Sequence, residues 1–195
     1  MTDEKVAQTG KWAKRFVLAT VLQTTLAVVL TAYLVYEGAF GFPAASRIVA
    51  GGGAGTWLTV GYFAFVIFGP IAMALSAGLF RQVESHMGRI SGKWHDRLLW
   101  IALLTYNVGI VAGTWLMMHA GYRGGAAAMS VSSGGLGWSG DKAALVHSQI
   151  MAVYPPYIAA FLGVALFGAF LGIVGLLLVW ARPAKAPEKG VPAAA

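Results

Sequence analysis

Side chains able to hold a redox metal are few in this chain, and they fall in two regions. There are four histidines and seven methionines but no cysteine. One region is Met117-Met118-His119 with Met129 beyond it, and the other is His147-Ser148-Gln149-Ile150-Met151. Imidazole and thioether are axial ligands of haem, and both also suit soft Cu(I). If the approach to the last apolar segment is helical, His147 and Met151 stand four residues apart and share a face. His119 and His147 are therefore the candidate haem ligands. Met117, Met118, His119, Met129, His147 and Met151 form the alternative, a copper-handling set. A third reading makes both histidines interfacial residues bonded to loop or lipid headgroup. His86 and His95 differ, because they sit among Arg81, Arg89, Lys93 and Arg97. That surrounding reads as a solvated segment attracting anionic headgroups.

Other chemistries find little to work with. The seven acidic residues are scattered, and no pair has a spacing that suggests shared acid–base work. Gly51-Gly52-Gly53-Ala54-Gly55 has no Gly-Lys-Ser/Thr after it, so it is not a P-loop. The missing cysteines exclude disulfides, thiolate zinc and iron–sulfur clusters. An autonomous hydrolase or transferase is not expected, and catalysis by the chain alone is not expected either.

His147-Ser148-Gln149-Ile150-Met151, followed by Tyr154-Pro155-Pro156-Tyr157 and a glycine-bearing helix, resembles a stretch of subunit I of the haem-copper oxidases. In that family a His-Gly-x-x-Met segment opens an outside-to-inside helix, and its histidine ligates the low-spin haem. The resemblance covers the His147–Gly163 region only, and Ser148 stands where the family has glycine. Nothing in the chain corresponds to the family's other haem ligands or its copper-binding histidines. The resemblance implies a small membrane subunit of a respiratory assembly, without oxidase activity of its own.

The elements that must position these residues are membrane helices. Of the 195 residues, 58% are hydrophobic and 11% charged, against roughly 25% charged in a soluble domain. A span needs about 20 apolar residues, at about 1.5 Å each across a core of about 30 Å. Four segments qualify: about 16–36, 57–80, 98–120 and 157–180. None holds an internal Asp, Glu, Lys, Arg or His except His119, at the end of the third. The expected fold is an all-α integral membrane bundle over 16–180, with a basic arm (1–15) before it and a disordered cytoplasmic tail (181–195) after it. The first segment is longer than the 7–15 apolar residues of a cleaved signal, so it is expected to stay as a membrane helix.

Orientation follows from Lys and Arg. Eleven of the fourteen lie in the arm (Lys5, Lys11, Lys14, Arg15), the middle loop (Arg81, Arg89, Lys93, Arg97) and the tail (Arg182, Lys185, Lys189). Only Arg47, Arg123 and Lys142 fall in the other two loops. Both termini are thus expected in the cytoplasm. The basic residues form short clusters between apolar runs, so the net charge of +7 does not point to nucleic acid.

Packing cues follow. Gly109/Gly113 and Gly168/Gly172 are small-xxx-small pairs, which let membrane helices approach backbone to backbone. Gly69-Pro70 predicts a kink in the second span. Gln23, Thr24, Thr25, Ser76, Thr105, Tyr106 and Asn107 are expected to hydrogen-bond between helices. The two outer loops, Gly38 to Thr56 and Gly121 to about Met151, are expected to be mobile or held by a partner. Together these readings suggest a subunit of a respiratory or other electron-transfer complex, structural or haem-bearing. The partners are then the bilayer and other membrane subunits, and a prokaryotic plasma membrane is the expected location. A copper handler and a cofactor-free assembly factor are the alternatives.

Overall fold

The computed structural model describes residues 10–184. Helix α1 is Lys11–Phe40, the short α2 is Ala45–Ala50, α3 is Gly53–His86, α4 is Lys93–Ala128 and α5 is Tyr154–Trp180. No strand occurs among the described residues. α1, α3, α4 and α5 are each long and apolar enough to cross a bilayer, so the chain is a multi-pass all-α membrane protein. Most of the basic arm (1–9) and most of the tail (185–195) lie outside the described residues.

Each expected apolar stretch lies inside one of these helices, and the helices run past it. α4 has 36 residues and is therefore about 54 Å long, against a core of about 30 Å. Its extension covers Gly121–Ala128, which local composition assigns to a loop. Each glycine inside a helix costs about 1 kcal/mol relative to alanine, but here the glycines are seats. A Cβ at Gly124 would lie 2.9 Å from Ala54 Cβ and from Met151 Sδ, and one at Gly125 would lie 3.0 Å from Gly55 Cα. The remaining loop folds back on the same helix, with Gly137 N–H donating to Met129 O (2.7 Å) and Trp138 N–H to Ala127 O (3.0 Å).

The α4–α5 contact is made backbone to backbone within the chain. A Cβ at Gly109 would fall 2.6 Å from Phe161 O and 2.8 Å from Ala165 Cα. One at Gly168 would fall 2.6 Å from Thr105 Oγ1 and 2.8 Å from Tyr106 Cα. The second members of the two pairs differ, since Gly113 faces the Leu162 side chain and Gly172 has only Ala102 Cβ at 3.9 Å. α3 meets α4 in the same manner at Gly61, where a Cβ would lie 2.8 Å from Met118 N.

Pro70 is accommodated by a π-helical turn, Ile67–Ile71. The wider turn relieves the clash that proline makes with the turn before it. The Tyr106 hydroxyl donates to Phe68 O in this turn (2.8 Å). Gln23 Nε2 donates to Asn107 Oδ1 (2.8 Å), linking α1 to α4. Thr31 Oγ1 and the Tyr62 hydroxyl likewise meet across α1 and α3 at 2.9 Å, but three of the expected hydroxyls stay within their own helix. Thr25, Ser76 and Thr105 each donate to the carbonyl four residues earlier, a bond always within reach inside a helix.

The end of the bundle that carries the arm is closed by a polar lock. α1 begins after Gly10 and has no side-chain cap of its own. The Glu84 carboxylate, at the end of α3, accepts instead from the Trp12 and Ala13 backbone N–H groups at 2.9 and 3.0 Å. Free N–H groups and the positive end of the helix dipole are thereby met by an anion. Asp96, ahead of the apolar stretch of α4, accepts from Trp12 Nε1 (2.7 Å) and Ser91 Oγ (2.7 Å) and pairs with Lys11. Burial alone would raise its carboxyl. Hydrogen bonds from Lys11, Ser91 and Trp12 outweigh that and bring it down to about 2.

Candidate functional site

At the opposite end, Trp115, His119 and Arg123 follow one another at four-residue spacing, so α4 presents them as one stripe. They line an apolar groove of about 570 Å³ whose other wall is α1, through Leu26, Leu30 and Tyr33. That volume falls within the range of about 300–1,000 Å³ typical of small-molecule sites. Leu58 of α3 and Met118 also line it, and both are buried in the core behind. The Tyr122 hydroxyl, also in the lining, lies 3.3 Å from Pro43 O and 3.4 Å from Glu37 Oε2, tying α4 to the end of α1 and the turn after it. The groove is thus walled by two helices held at fixed spacing.

His119 is the polar feature of this wall. Its Nδ1 lies 3.0 Å from the hydroxyl of Tyr154, with the rings 5.6 Å apart and edge-on. Tyr154 opens α5, where Pro155 and Pro156 in the first turn suit a helix start. The hydrogen bond fixes the imidazole orientation and engages one ring nitrogen. Nε2 is left to meet a ligand, which is how a metal-binding histidine is commonly supported. His119 is exposed, so the ring is reachable from the groove side.

The remaining expected ligands are dispersed. Met118 is buried and packs on Gly61 of α3, while half-buried Met129 packs against the same apolar cluster. Met117 is half-buried on α4. Met151 is buried in a different cluster with Ala54, Ala120 and Val146. His147 is exposed. It lies in a π-helical turn, Val146–Met151, where the wider spacing takes away the shared face that α-helical geometry would give it with Met151. His86 is exposed and His95 half-buried at the basic end. Among the described residues no three His, Asp or Glu side chains converge as a metal site.

Two participants were not singled out from sequence. Tyr154 stands 35 positions from His119 in the chain, so local spacing carries no sign of the pairing. Arg123 was counted only as an outer-loop charge, although the four-residue spacing from Trp115 and His119 would have put it in the stripe had Gly121–Ala128 been read as helix. No protein-family model, curated protein or solved structure matches the chain.

Proposed function

We propose that this membrane protein is a small subunit of a respiratory or other electron-transfer complex, bearing a haem in the groove between α1 and α4. The observation that carries the reading is His119, its Nδ1 engaged by Tyr154, set in an apolar wall with Trp115 and Met118. Nε2 of His119 would ligate the haem iron, and Arg123, in the same lining, would pair with a propionate. The donor set fits the group: one oriented imidazole, an apolar slot, and a cation beside the aqueous edge. Haem supplies reversible one-electron exchange when bound. This chain would contribute one imidazole, and a neighbouring subunit would supply any further ligand.

Orientation belongs to the same proposal. The start of α1, the end of α3, the start of α4 and the end of α5 share one end of the bundle, through Glu84, Asp96 and the Arg182 guanidinium on Ile90 O. The Lys and Arg excess lies there, which supports a cytoplasmic assignment for that end; a prokaryotic plasma membrane as host is part of the same proposal. A cysteine at exposed Ser132 is then expected to react with an impermeant reagent added to intact cells; labelling only after lysis would reverse the assignment.

The deciding experiment is a reduced-minus-oxidised visible spectrum of the full chain, purified gently with whatever accompanies it. A haem band stoichiometric with the chain is expected, lost in His119→Ala and kept in His147→Ala and His86→Ala. A spectrum without haem absorbance, or a band that survives His119→Ala, refutes the haem site. Purification of the chain free of any other protein refutes the subunit reading.

A further inference from the structure

A second groove, independent of His119, runs along the other half of the α1–α4 seam. It measures about 530 Å³ and extends from Arg15 at the basic end to Leu26, with Leu22, Leu104 and Val108 along its walls. From Arg15 to Leu26 is eleven residues of helix, or about 16 Å, close to half of a hydrocarbon core of about 30 Å. The groove is therefore one leaflet deep. A lipid chain ends at the midplane and matches this length; the seam continues beyond Leu26 as the His119 groove, so the cationic head is what selects the occupant.

The head of the groove is cationic. The Arg15 guanidinium lies over a pair of indoles that meet edge-on, 4.3 Å from the ring of Trp12 and 4.5 Å from that of Trp100. This pair of cation–π contacts holds the planar group in place. Trp12 is fully buried and its Nε1 is tied to Asp96, so the inner indole cannot swing away. No carboxylate among the described residues pairs with Arg15, and its Nη1 is buried without an acceptor. The nearby carboxylates are committed elsewhere, Asp96 to Lys11, Trp12 and Ser91, and Glu84 to the α1 backbone. A positioned cation at interface depth, above an apolar furrow one leaflet long, is complementary to a single class of ligand.

We infer that this groove binds an anionic phospholipid of the basic-side leaflet, with its phosphate on Arg15 and one acyl chain along Leu22, Leu104 and Val108. The headgroup contact is charge-assisted, and the planar fork of arginine suits phosphate. The acyl contact covers apolar side chains that the protein leaves exposed: Leu18, Leu22, Leu104 and Val108 are 57–60% exposed. The site needs only a bilayer, so it stands or falls separately from the haem.

The test is native mass spectrometry of the full chain in detergent, titrated with phosphatidylglycerol or phosphatidylcholine of the same acyl chains. Wild-type protein is expected to retain phosphatidylglycerol preferentially at a stoichiometry of one. Arg15→Gln should lower that preference about fivefold, the factor of one cation near an anionic lipid surface. Lys14→Gln, which removes the same charge from the exposed neighbouring position, should leave it intact. Val108→Phe fills the furrow from an exposed position and should reduce retention of phosphatidylglycerol while leaving the thermal midpoint unchanged. Equal retention of both lipids by the wild type would overturn the proposal, leaving an apolar occupant such as a partner helix. Equal losses in Arg15→Gln and Lys14→Gln would also overturn it, as the effect would then be diffuse surface charge.

Discussion

Replacing Gly168 by alanine adds one methyl group where two helix backbones already touch. The new Cβ would stand 2.6 Å from Thr105 Oγ1 and 2.8 Å from Tyr106 Cα. Real Cβ atoms essentially never approach closer than 3.0 Å, and Tyr106 N would be nearer still, so α5 must move from α4 by roughly half an ångström or more. Such a gap forfeits about a quarter to a half of the dispersion well for each atom pair along the seam. Overpacking of this kind costs about 1–3 kcal/mol, and membrane helices have little hydrophobic driving force to compensate. Gly172→Ala is the internal control, because its Cβ meets only Ala102 Cβ at 3.9 Å. Gly163→Ala is a second control, with nothing within 4 Å. Both replace a glycine of the same helix, so backbone propensity cancels in the comparison. Reversible unfolding of the full chain in mixed micelles, followed by circular dichroism, should rank Gly168→Ala below both controls by about 1–3 kcal/mol. Gly168→Ala matching the controls would refute the close α4–α5 contact.

One further prediction concerns the basic end. Glu84→Ala removes an anion that caps α1 from 72 positions away and should cost about 1–2 kcal/mol, as loss of a helix cap does. Glu84→Gln keeps an acceptor but loses the charge–dipole part, about 0.3–1 kcal/mol. The order wild type, Gln, Ala in thermal midpoint is expected, and an alanine variant as stable as wild type would show that α1 starts without help.

Hydropathy is a local signal summed over some twenty residues, so the four membrane helices were legible from composition alone. The packing roles of Gly109 and Gly168 were legible for the same reason, because spacing along one helix states which residues share a face. What escaped depends on contacts between distant segments. Gly124-Gly125-Ala126-Ala127-Ala128 reads as loop by propensity and becomes helix because Ala54, Gly55 and Met151 pack onto the glycines. Proline predicts a kink, and the choice of a π turn rests on neighbours such as Tyr106. The His147–Met151 face assumed α-helical spacing, and the π turn at Val146–Met151 removes it. For the candidate site, His119 and Met118 could be named in advance, whereas Tyr154 and the α1 wall could not.

α1 shows why two grooves exist at all. Only 11% of its most apolar stretch is buried, against 39% for α4; at the basic end it packs on α3 through the stacked rings of Phe16 and Phe80 at 4.8 Å and touches α4 through Trp12 and Trp100 at 5.6 Å. Toward α4 it is held by polar rungs. Trp12 bonds Asp96 at the basic end, Gln23 bonds Asn107 at mid-depth, and Glu37 meets Tyr122 at the far end. At mid-depth the Gln23–Asn107 pair has no water to turn to, so that rung persists whatever lies beside it. The Arg15 groove runs from the first rung to just past the second, and the His119 groove lies between the second and third, with Leu26 lining both. The spacing of α1 from α4 is therefore set by the rungs and not by a ligand. Substitutions at His119 or Arg15 leave all three rungs in place, so a lost haem band or a lost lipid in those variants reports binding and not collapse of the bundle.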